Sequence, residues 1–144
     1  MEKSLHVLLV EDNEGDIVLT QEAFEERKIV NKLSVARNGQ EALDFLSETA
    51  SDPSASNPDI ILLDLNLPIK NGFEVLKQIK TEPETSTIPV IVLTTSSSQR
   101  DINKAYERYA NSFITKPLDI DDFIRAIIKV EQFWLQLIRL PNVK

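Results

Sequence analysis

Two short runs of apolar, mostly branched residues, each ending directly at a carboxylate, constrain the fold of this chain more than any other feature. Leu5–Val10 leads into the adjacent pair Glu11 and Asp12, and Ile60–Leu63 leads into Asp64. Runs that are apolar at almost every position are typical of strands buried on both faces of a parallel sheet. Functional groups collect at the carboxyl ends of the strands in such a sheet, so the three carboxylates are expected to share one pocket.

The three carboxylates predict a metal site. Clustered negative charges repel one another and are costly to desolvate, and a hard divalent cation with oxygen ligands relieves both costs. The sequence therefore predicts that Glu11, Asp12 and Asp64 bind Mg²⁺. Capping of a following helix is the alternative use of a strand-end carboxylate, and a helix is expected to begin just after Asp12.

Two further strand-like runs end at residues suited to binding a phosphoryl group. Residues 89–93 lead into Thr94, and a shorter run around Phe113 is followed by Lys116 and Pro117. Lys116 would supply a fixed cation beside the carboxylates, and Thr94 a hydroxyl donor. Each feature alone is ordinary, because a Lys-Pro pair is usually a loop and a threonine after a strand is usually a turn. Their occurrence after separate strands of one alternating pattern predicts a phosphoryl-transfer site in the same pocket.

The alternation of five strand-like with five helix-like segments predicts an α/β fold. Such alternation implies right-handed crossovers and a doubly wound, three-layer, five-stranded parallel sheet. The fourth helix, residues 99–109, has the thinnest apolar stripe, and the fifth is expected to begin after Asp119, a favourable N-cap. The apolar positions expected to face the core from the first three helices are Ile17, Ala23, Phe24, Ala42, Leu43, Leu46, Phe73, Leu76 and Ile79.

Composition agrees with a single domain over residues 1–144. The chain has 144 residues, of which 42% are hydrophobic, no cysteine, and a formal net charge of −7. This length suffices for one core, and the absence of cysteine excludes disulfides and thiolate chemistry. An acidic balance without a basic cluster argues against nucleic-acid binding. No apolar stretch approaches the length of a membrane span and the first residues do not resemble a signal peptide, so a cytoplasmic protein is expected.

Four motifs, in order along the chain, resemble those of the receiver domain of two-component response regulators. They are Val-Glu-Asp-Asn at residues 10–13, Leu-Asp-Leu-Asn-Leu-Pro at 63–68 followed by Asn-Gly at 71–72, Leu-Thr-Thr-Ser at 93–96, and Lys-Pro at 116–117. The resemblance covers about residues 5–130 and implies the flavodoxin-like strand order 2-1-3-4-5. It also implies a signalling protein rather than a free-standing enzyme. Such a protein takes phosphate from a histidine kinase, assists its own phosphorylation and dephosphorylation, and signals through protein contacts.

The resemblance implies that Asp64 is the phosphoacceptor. It further implies that Asp12, Asp64 and the backbone carbonyl of Asn66 bind Mg²⁺ directly, and that Glu11 helps through water.

The remaining landmarks of the family concern its response to phosphorylation. Thr94 and Phe113 fall on the switch threonine and the switch aromatic position. Because Phe113 has no hydroxyl, a switch at that position would depend on packing alone. Lys116 falls on the family's lysine and is joined to Pro117 through a bond that is commonly cis in receivers.

Two segments depart from a minimal receiver. Residues 48–58 are polar and are expected to form a long loop between the second helix and the third strand. Residues 130–144 are expected to extend the last helix, and their apolar side chains would either pack on the same subunit or cover a partner. We predict a homodimer through the fourth helix, fifth strand and fifth helix, with this extension contributing. The large apolar residues of the extension are Phe133, Trp134, Leu135, Leu137, Ile138 and Leu140.

The long loop and the C-terminal extension both resemble the corresponding segments of the stand-alone regulators that serve bacterial and cyanobacterial phytochromes. This narrower resemblance makes a phytochrome-type histidine kinase a candidate partner.

Three rival functions fit the residues less well. A small aspartyl-phosphate hydrolase would need a carboxylate two positions after Asp64, and Asn66 cannot titrate. A dinucleotide-binding module needs a glycine-rich loop, which the glycines Gly15, Gly39 and Gly72 are too far apart to form. A pseudo-receiver that acts without phosphorylation would not need the intact acidic set.

Overall fold

A computed structural model describes residues 5–27, 30–52, 54, 57–65, 67–69, 71–94 and 112–115, together with residues 125, 128, 129 and 132. The elements within these residues are β1 (Leu5–Val10), α1 (Glu14–Arg27), β2 (Val30–Ala36), α2 (Gly39–Ser51), β3 (Ile60–Leu63), α3 (Gly72–Thr81), β4 (Val90–Thr94) and β5 (Ser112–Thr115). The four isolated residues, which belong to the predicted fifth helix, are helical, and the predicted fourth helix lies outside the described residues. No helix among the described residues is long and apolar enough to cross a membrane.

The five strands form one parallel sheet in the order β2-β1-β3-β4-β5, which confirms the predicted fold class and strand order. The inner strands are covered on both faces, because Val7, Leu8 and Val10 of β1 and all four residues of β3 are 0% exposed. Continuous burial of this kind explains why both runs are apolar at successive positions rather than at alternate ones.

Strand register sets the ends of three strands at one edge of the sheet. Val10 pairs with Leu63, so Glu11 and Asp64 leave β1 and β3 at the same level. The backbone N–H of Asp64 donates to the carbonyl of Val10 at 3.0 Å, which carries the pairing one residue further. On the other side of β3, Leu63 pairs with Val92, and β4 continues to Thr94.

The described helices bury the faces that their apolar spacing predicts. The residues of these faces that are buried are Ile17, Ala23, Phe24, Ala42, Leu46, Leu76 and Ile79, and Leu43 and Phe73 pack against the core while partly exposed. Two helix starts are also well capped. Asn38 accepts a hydrogen bond from the backbone N–H of Glu41, and Asn71 forms a reciprocal capping box with Glu74.

The predicted loop over residues 48–58 begins too early. α2 continues to Ser51, so residues 48–51 are helical. The polar residues at 48–51 favoured a loop, but polar side chains can also lie within a helix. The hydroxyls of Thr49 and Ser51 donate to the carbonyls of Leu46 and Glu48, each at 3.1 Å, inside α2.

Candidate functional site

Three carboxylates converge at the carboxyl ends of β1 and β3. One oxygen atom from each of Glu11, Asp12 and Asp64 lies within 4.8 Å of the other two. Glu11 and Asp64 are 2% and 6% exposed, whereas Asp12 is exposed. The structure therefore brings together residues that lie 53 positions apart in the sequence, Glu11 and Asp64, and it does so at the edge of the sheet where the sequence predicts a shared site.

Asparagine side chains, rather than these carboxylates, cap the helices that follow the two strands. Asn13 Oδ1 accepts a hydrogen bond from the backbone N–H of Asp16 at 2.9 Å at the start of α1. Asn71 does the same for α3, accepting from the backbone N–H of Glu74 at 3.0 Å. Because the asparagines satisfy these helix ends, capping does not explain why acidic residues stand at the strand ends.

Glu11 is held by hydrogen bonds to its own segment and to the neighbouring strand. Its backbone N–H donates to the carbonyl of Ala36, the last residue of β2, at 2.9 Å. Its Oε2 atom accepts from the backbone N–H of Asn13 at 3.2 Å. A buried carboxylate is costly unless it is hydrogen-bonded or neutralised, and this N–H offsets part of that cost.

Asp64 is positioned by β1 on one side and by the start of α3 on the other. The backbone N–H of Gly72 donates to the carbonyl of Leu65 at 2.9 Å, which draws the first residue of α3 onto the end of β3. A Cβ atom at position 72 would overlap the carbonyl oxygen of Asp64. In the sequence Gly72 stands out only as part of an Asn-Gly motif, because its contact with Asp64 depends on how the loop between them closes.

The donor set suits a hard divalent cation. Mg²⁺ prefers oxygen ligands and is usually bound through one or two carboxylates together with water and substrate oxygens. Glu11, Asp12 and Asp64 supply carboxylate oxygens within 4.8 Å of one another. Softer metals prefer nitrogen or sulfur, but the sequence has no cysteine, and its one histidine, His6, lies at the other end of β1 with Nε2 2.9 Å from Ser34 Oγ.

The rest of the predicted site is described only in part. Thr94 ends β4 and pairs with Thr115, and Phe113 pairs with Val92, so the strand ends of β4 and β5 reach the same edge as the carboxylates. The side-chain positions of Thr94 and Phe113 are not among the described features, and Asn66, Lys116 and Pro117 lie outside the described residues.

A cavity of about 530 Å³ lies between the C-terminal halves of α2 and α3. Leu46, Ile79 and Thr85 contribute to its lining. These parts of the helices lie at the amino-terminal edge of the sheet, because the helices run antiparallel to the strands. The cavity is therefore remote from the three carboxylates.

Comparison with known proteins gives one consistent result. The family model for the response regulator receiver domain matches residues 7–128. Response regulator Rcp1 of Synechocystis sp. is 40% identical over 135 residues, covering 94% of this chain and 92% of Rcp1. The crystal structure of the phosphorylated cyanobacterial phytochrome response regulator RcpA matches with a TM-score of 0.85 at 41% identity, covering 92% of this chain and 95% of that one. The Mn²⁺-bound form of Rcp1 matches with a TM-score of 0.82 at 40% identity, covering 91% and 94%.

Proposed function

Because this chain belongs to the response regulator receiver family, a family of phosphoacceptor signalling domains in two-component systems, we propose that Asp64 is the residue that accepts the phosphoryl group. The observation that carries this proposal is the convergence of Glu11, Asp12 and Asp64 within 4.8 Å at one edge of the sheet. Of the three, Asp64 follows the central strand. Its backbone N–H donates to Val10 of β1, and the next residue, Leu65, accepts from the first residue of α3.

In the proposed reaction a carboxylate oxygen of Asp64 attacks the phosphorus of a phosphohistidine on the kinase. The bond between phosphorus and the imidazole nitrogen breaks as the new P–O bond forms, and the imidazole leaves in line with the attacking oxygen. The product is an acyl phosphate on Asp64. Positioning accounts for most of the catalysis in such transfers, which suits a carboxylate held at the end of a rigid, buried strand.

Glu11, Asp12 and Asp64, with the backbone carbonyl of Asn66, would hold Mg²⁺. When bound, the ion would neutralise charge on the oxygens of the incoming phosphoryl group. The Mn²⁺ in the Rcp1 structure supports this assignment, because Mn²⁺ shares the preference of Mg²⁺ for oxygen ligands.

Thr94 and Lys116 would bind the oxygens of the phosphoryl group once it is on Asp64. Strand order supports this role, because β4 lies next to β3 and ends at Thr94, and Lys116 is the residue after β5 in the sequence. Movement of Thr94 toward the phosphoryl group would open space for Phe113, whose backbone pairs with Val92 two positions before Thr94. The switch would then shift a pre-existing packing equilibrium on the face that carries β5.

The proposed donor is a histidine kinase of the phytochrome type, and the proposed location is the cytoplasm. The relation to RcpA, a phytochrome response regulator, supports the choice of donor. We further propose a single receiver domain whose extension, residues 130–144, helps to form a homodimer with the predicted fourth helix, β5 and the predicted fifth helix. In this arrangement the phosphorylated protein passes its signal to a downstream target by direct protein contact.

Phosphorylation of the purified chain by acetyl phosphate and Mg²⁺ tests the assignment of Asp64. The wild-type chain should gain one phosphoryl group, and Asp64→Asn should gain none.

A further inference from the structure

The cavity between α2 and α3 has no role in the proposed phosphoryl transfer, because it lies at the opposite edge of the sheet from the three carboxylates. Its floor is apolar and is formed by Leu46 and Ile79, which are buried, and by Leu43, which is partly buried. Its sides include Ala50 and Gln78, which are exposed, so the cavity is a groove open to solvent. Its volume of about 530 Å³ is large enough to receive side chains of another molecule.

Negative charge surrounds this groove. Glu82 and Glu84 line it, both are exposed, and no lysine or arginine is among the described residues of its lining. α2 and α3 also end beside it, and the C-terminus of a helix carries a partial negative charge. The last turn of α2 contains no basic residue that would offset this charge. The groove therefore favours a cation.

The basic residue in the last turn of α3 is already bound elsewhere. Lys80 Nζ donates to the carbonyls of Ser86 and Ile88, at 3.1 and 2.6 Å, in the segment that leads into β4. The carboxylates of Glu82 and Glu84 form no hydrogen bond or ion pair with any other residue that the structure describes. Both exposed carboxylates can therefore pair with a cation on another molecule.

The dimensions of the groove favour a helix from a partner protein over a small molecule. Along α2 the lining extends from Leu43 to Ser51, about 12 Å, which matches two turns of a second helix. Pockets for small molecules usually enclose most of the ligand, whereas exposed residues form both walls of this groove. An amphipathic helix buries its apolar face in such a groove and leaves its polar face in water.

We propose that the groove between α2 and α3 is a docking site for a basic amphipathic helix of a partner protein. Apolar side chains of that helix would pack on Leu46 and Ile79, and its lysine or arginine side chains would pair with Glu82 and Glu84. The groove stays open in the proposed homodimer, because α2 packs on β2, the edge strand of the sheet farthest from β5. This surface is thus additional to the acidic site and to the dimer surface.

Titration of the full chain with synthetic peptides, followed through its backbone amide chemical shifts, tests the proposal. The first peptide has about 18 residues, all leucine or lysine, with the leucines at helical spacing along one face. In the second peptide glutamate replaces every lysine, and in the third serine replaces every leucine. We expect the first peptide to bind with a Kd of about 10–100 µM and to shift the amides of groove residues. The other two should bind about tenfold more weakly or worse.

Variants of the groove provide a second arm of the test. The double variant Glu82→Lys, Glu84→Lys reverses the charge of the groove and should weaken binding of the first peptide about tenfold or more. Ala50→Trp adds a large side chain at an exposed position of the wall and should block access to the apolar floor. The matched control Glu22→Lys, Glu25→Lys makes the same change in net charge at exposed positions of α1 and should leave the Kd within about twofold of wild type. Urea unfolding checks that each variant is folded.

Several outcomes would overturn the proposal. Absence of binding, shifts scattered over the acidic surface, or equal weakening by both double variants would leave only nonspecific attraction between a cationic peptide and an acidic chain. Equal affinity for the leucine and serine peptides would show that the apolar floor is not used. Loss of a dimer mass in Ala50→Trp would assign the groove to a second copy of this chain. None of these results changes the labelling of Asp64 by acetyl phosphate, so the proposed function is tested separately.

Discussion

Gly72 lies so close to the backbone of Asp64 that a side chain at position 72 would overlap the Asp64 carbonyl oxygen. This contact ties the first residue of α3 to the end of β3, where the proposed phosphoacceptor stands. A shift in the backbone at the start of α3 should therefore displace Asp64, and a shift in the Asp64 backbone should displace the start of α3.

Gly72→Ala is expected to impair both folding and phosphorylation. The added Cβ must displace either the Asp64 backbone or the start of α3, and overpacking of this kind costs about 1–3 kcal/mol of unfolding free energy. We expect the rate of phosphorylation by acetyl phosphate to fall about tenfold or more. Urea denaturation and the labelling rate provide the measurements. Gly15→Ala is the control, because a Cβ there would meet the Asn13 side chain at 3.3 Å rather than backbone, and its effect should stay within about 1 kcal/mol. Wild-type stability and rate in Gly72→Ala would contradict this prediction.

Asp64→Asn should abolish phosphorylation by acetyl phosphate while preserving the fold, since asparagine has nearly the same volume and lacks the nucleophilic charge. Intact-protein mass spectrometry measures the gain of one phosphoryl group. Asp52→Asn, an exposed carboxylate in the loop after α2, should label like wild type. Label that persists in Asp64→Asn would assign the phosphoacceptor elsewhere.

Asp12→Ala should remove Mg²⁺ binding without destabilising the metal-free protein. Removing one carboxylate from a repelling cluster lowers the like-charge cost, so thermal unfolding in the absence of metal should occur at the same or a higher temperature. The rise in melting temperature that Mg²⁺ causes in the wild type should disappear. Asn13→Ala is the matched comparison, since loss of the α1 cap should cost about 1 kcal/mol and leave the Mg²⁺-dependent rise in place. A large loss of stability in metal-free Asp12→Ala would mean that this residue is chiefly structural.

Lys80 is expected to make stability depend on alkaline pH. Its Nζ donates to the carbonyls of Ser86 and Ile88 at 3.1 and 2.6 Å, and partial burial lowers the pKa of Lys80. Between this lowered pKa and its ordinary value, the unfolded state binds more protons than the folded state, so the contribution of Lys80 to stability rises with pH. The unfolding free energy of the wild type, measured relative to Lys80→Met, should therefore increase as the pH is raised from neutral toward the ordinary lysine pKa. A flat or falling difference in urea titrations would show that the carbonyl contacts compensate fully for desolvation.

Residues 130–144 are expected to support a homodimer. The apolar side chains of this segment would expose several hundred Å² of surface if left uncovered, about the size of the largest patch on a typical monomer. Sedimentation of the full chain should give a dimer mass at micromolar concentration, and a chain ending at Val130 should give a monomer. Equal monomer masses for both would mean that the extension covers its own subunit.

The sequence alone determined the parallel sheet and the edge at which the three carboxylates meet. Runs such as Ile60–Leu63, apolar at every position, can be buried only if both faces of the strand are covered, which selects a parallel sheet between helix layers. Once the strands are parallel and adjacent, Glu11, Asp12 and Asp64 must meet at one edge, whatever the details of the loops. The helix faces were equally predictable, because a period near 3.6 residues marks the side that packs on the sheet.

The tertiary structure alone decided features that depend on backbone closure and on short contacts. Asn13 rather than Asp12 caps α1, and α2 extends to Ser51 with the hydroxyls of its last turn bonded to helix carbonyls. Composition cannot distinguish these choices, because the same polar residues serve caps, loops and helix interiors. The close approach of Gly72 to the Asp64 backbone and the left-handed conformation of Ile69 arise when the loop between β3 and α3 closes on the strand end. These contacts are set by distances in space between atoms of a folded loop, and local sequence patterns do not encode those distances.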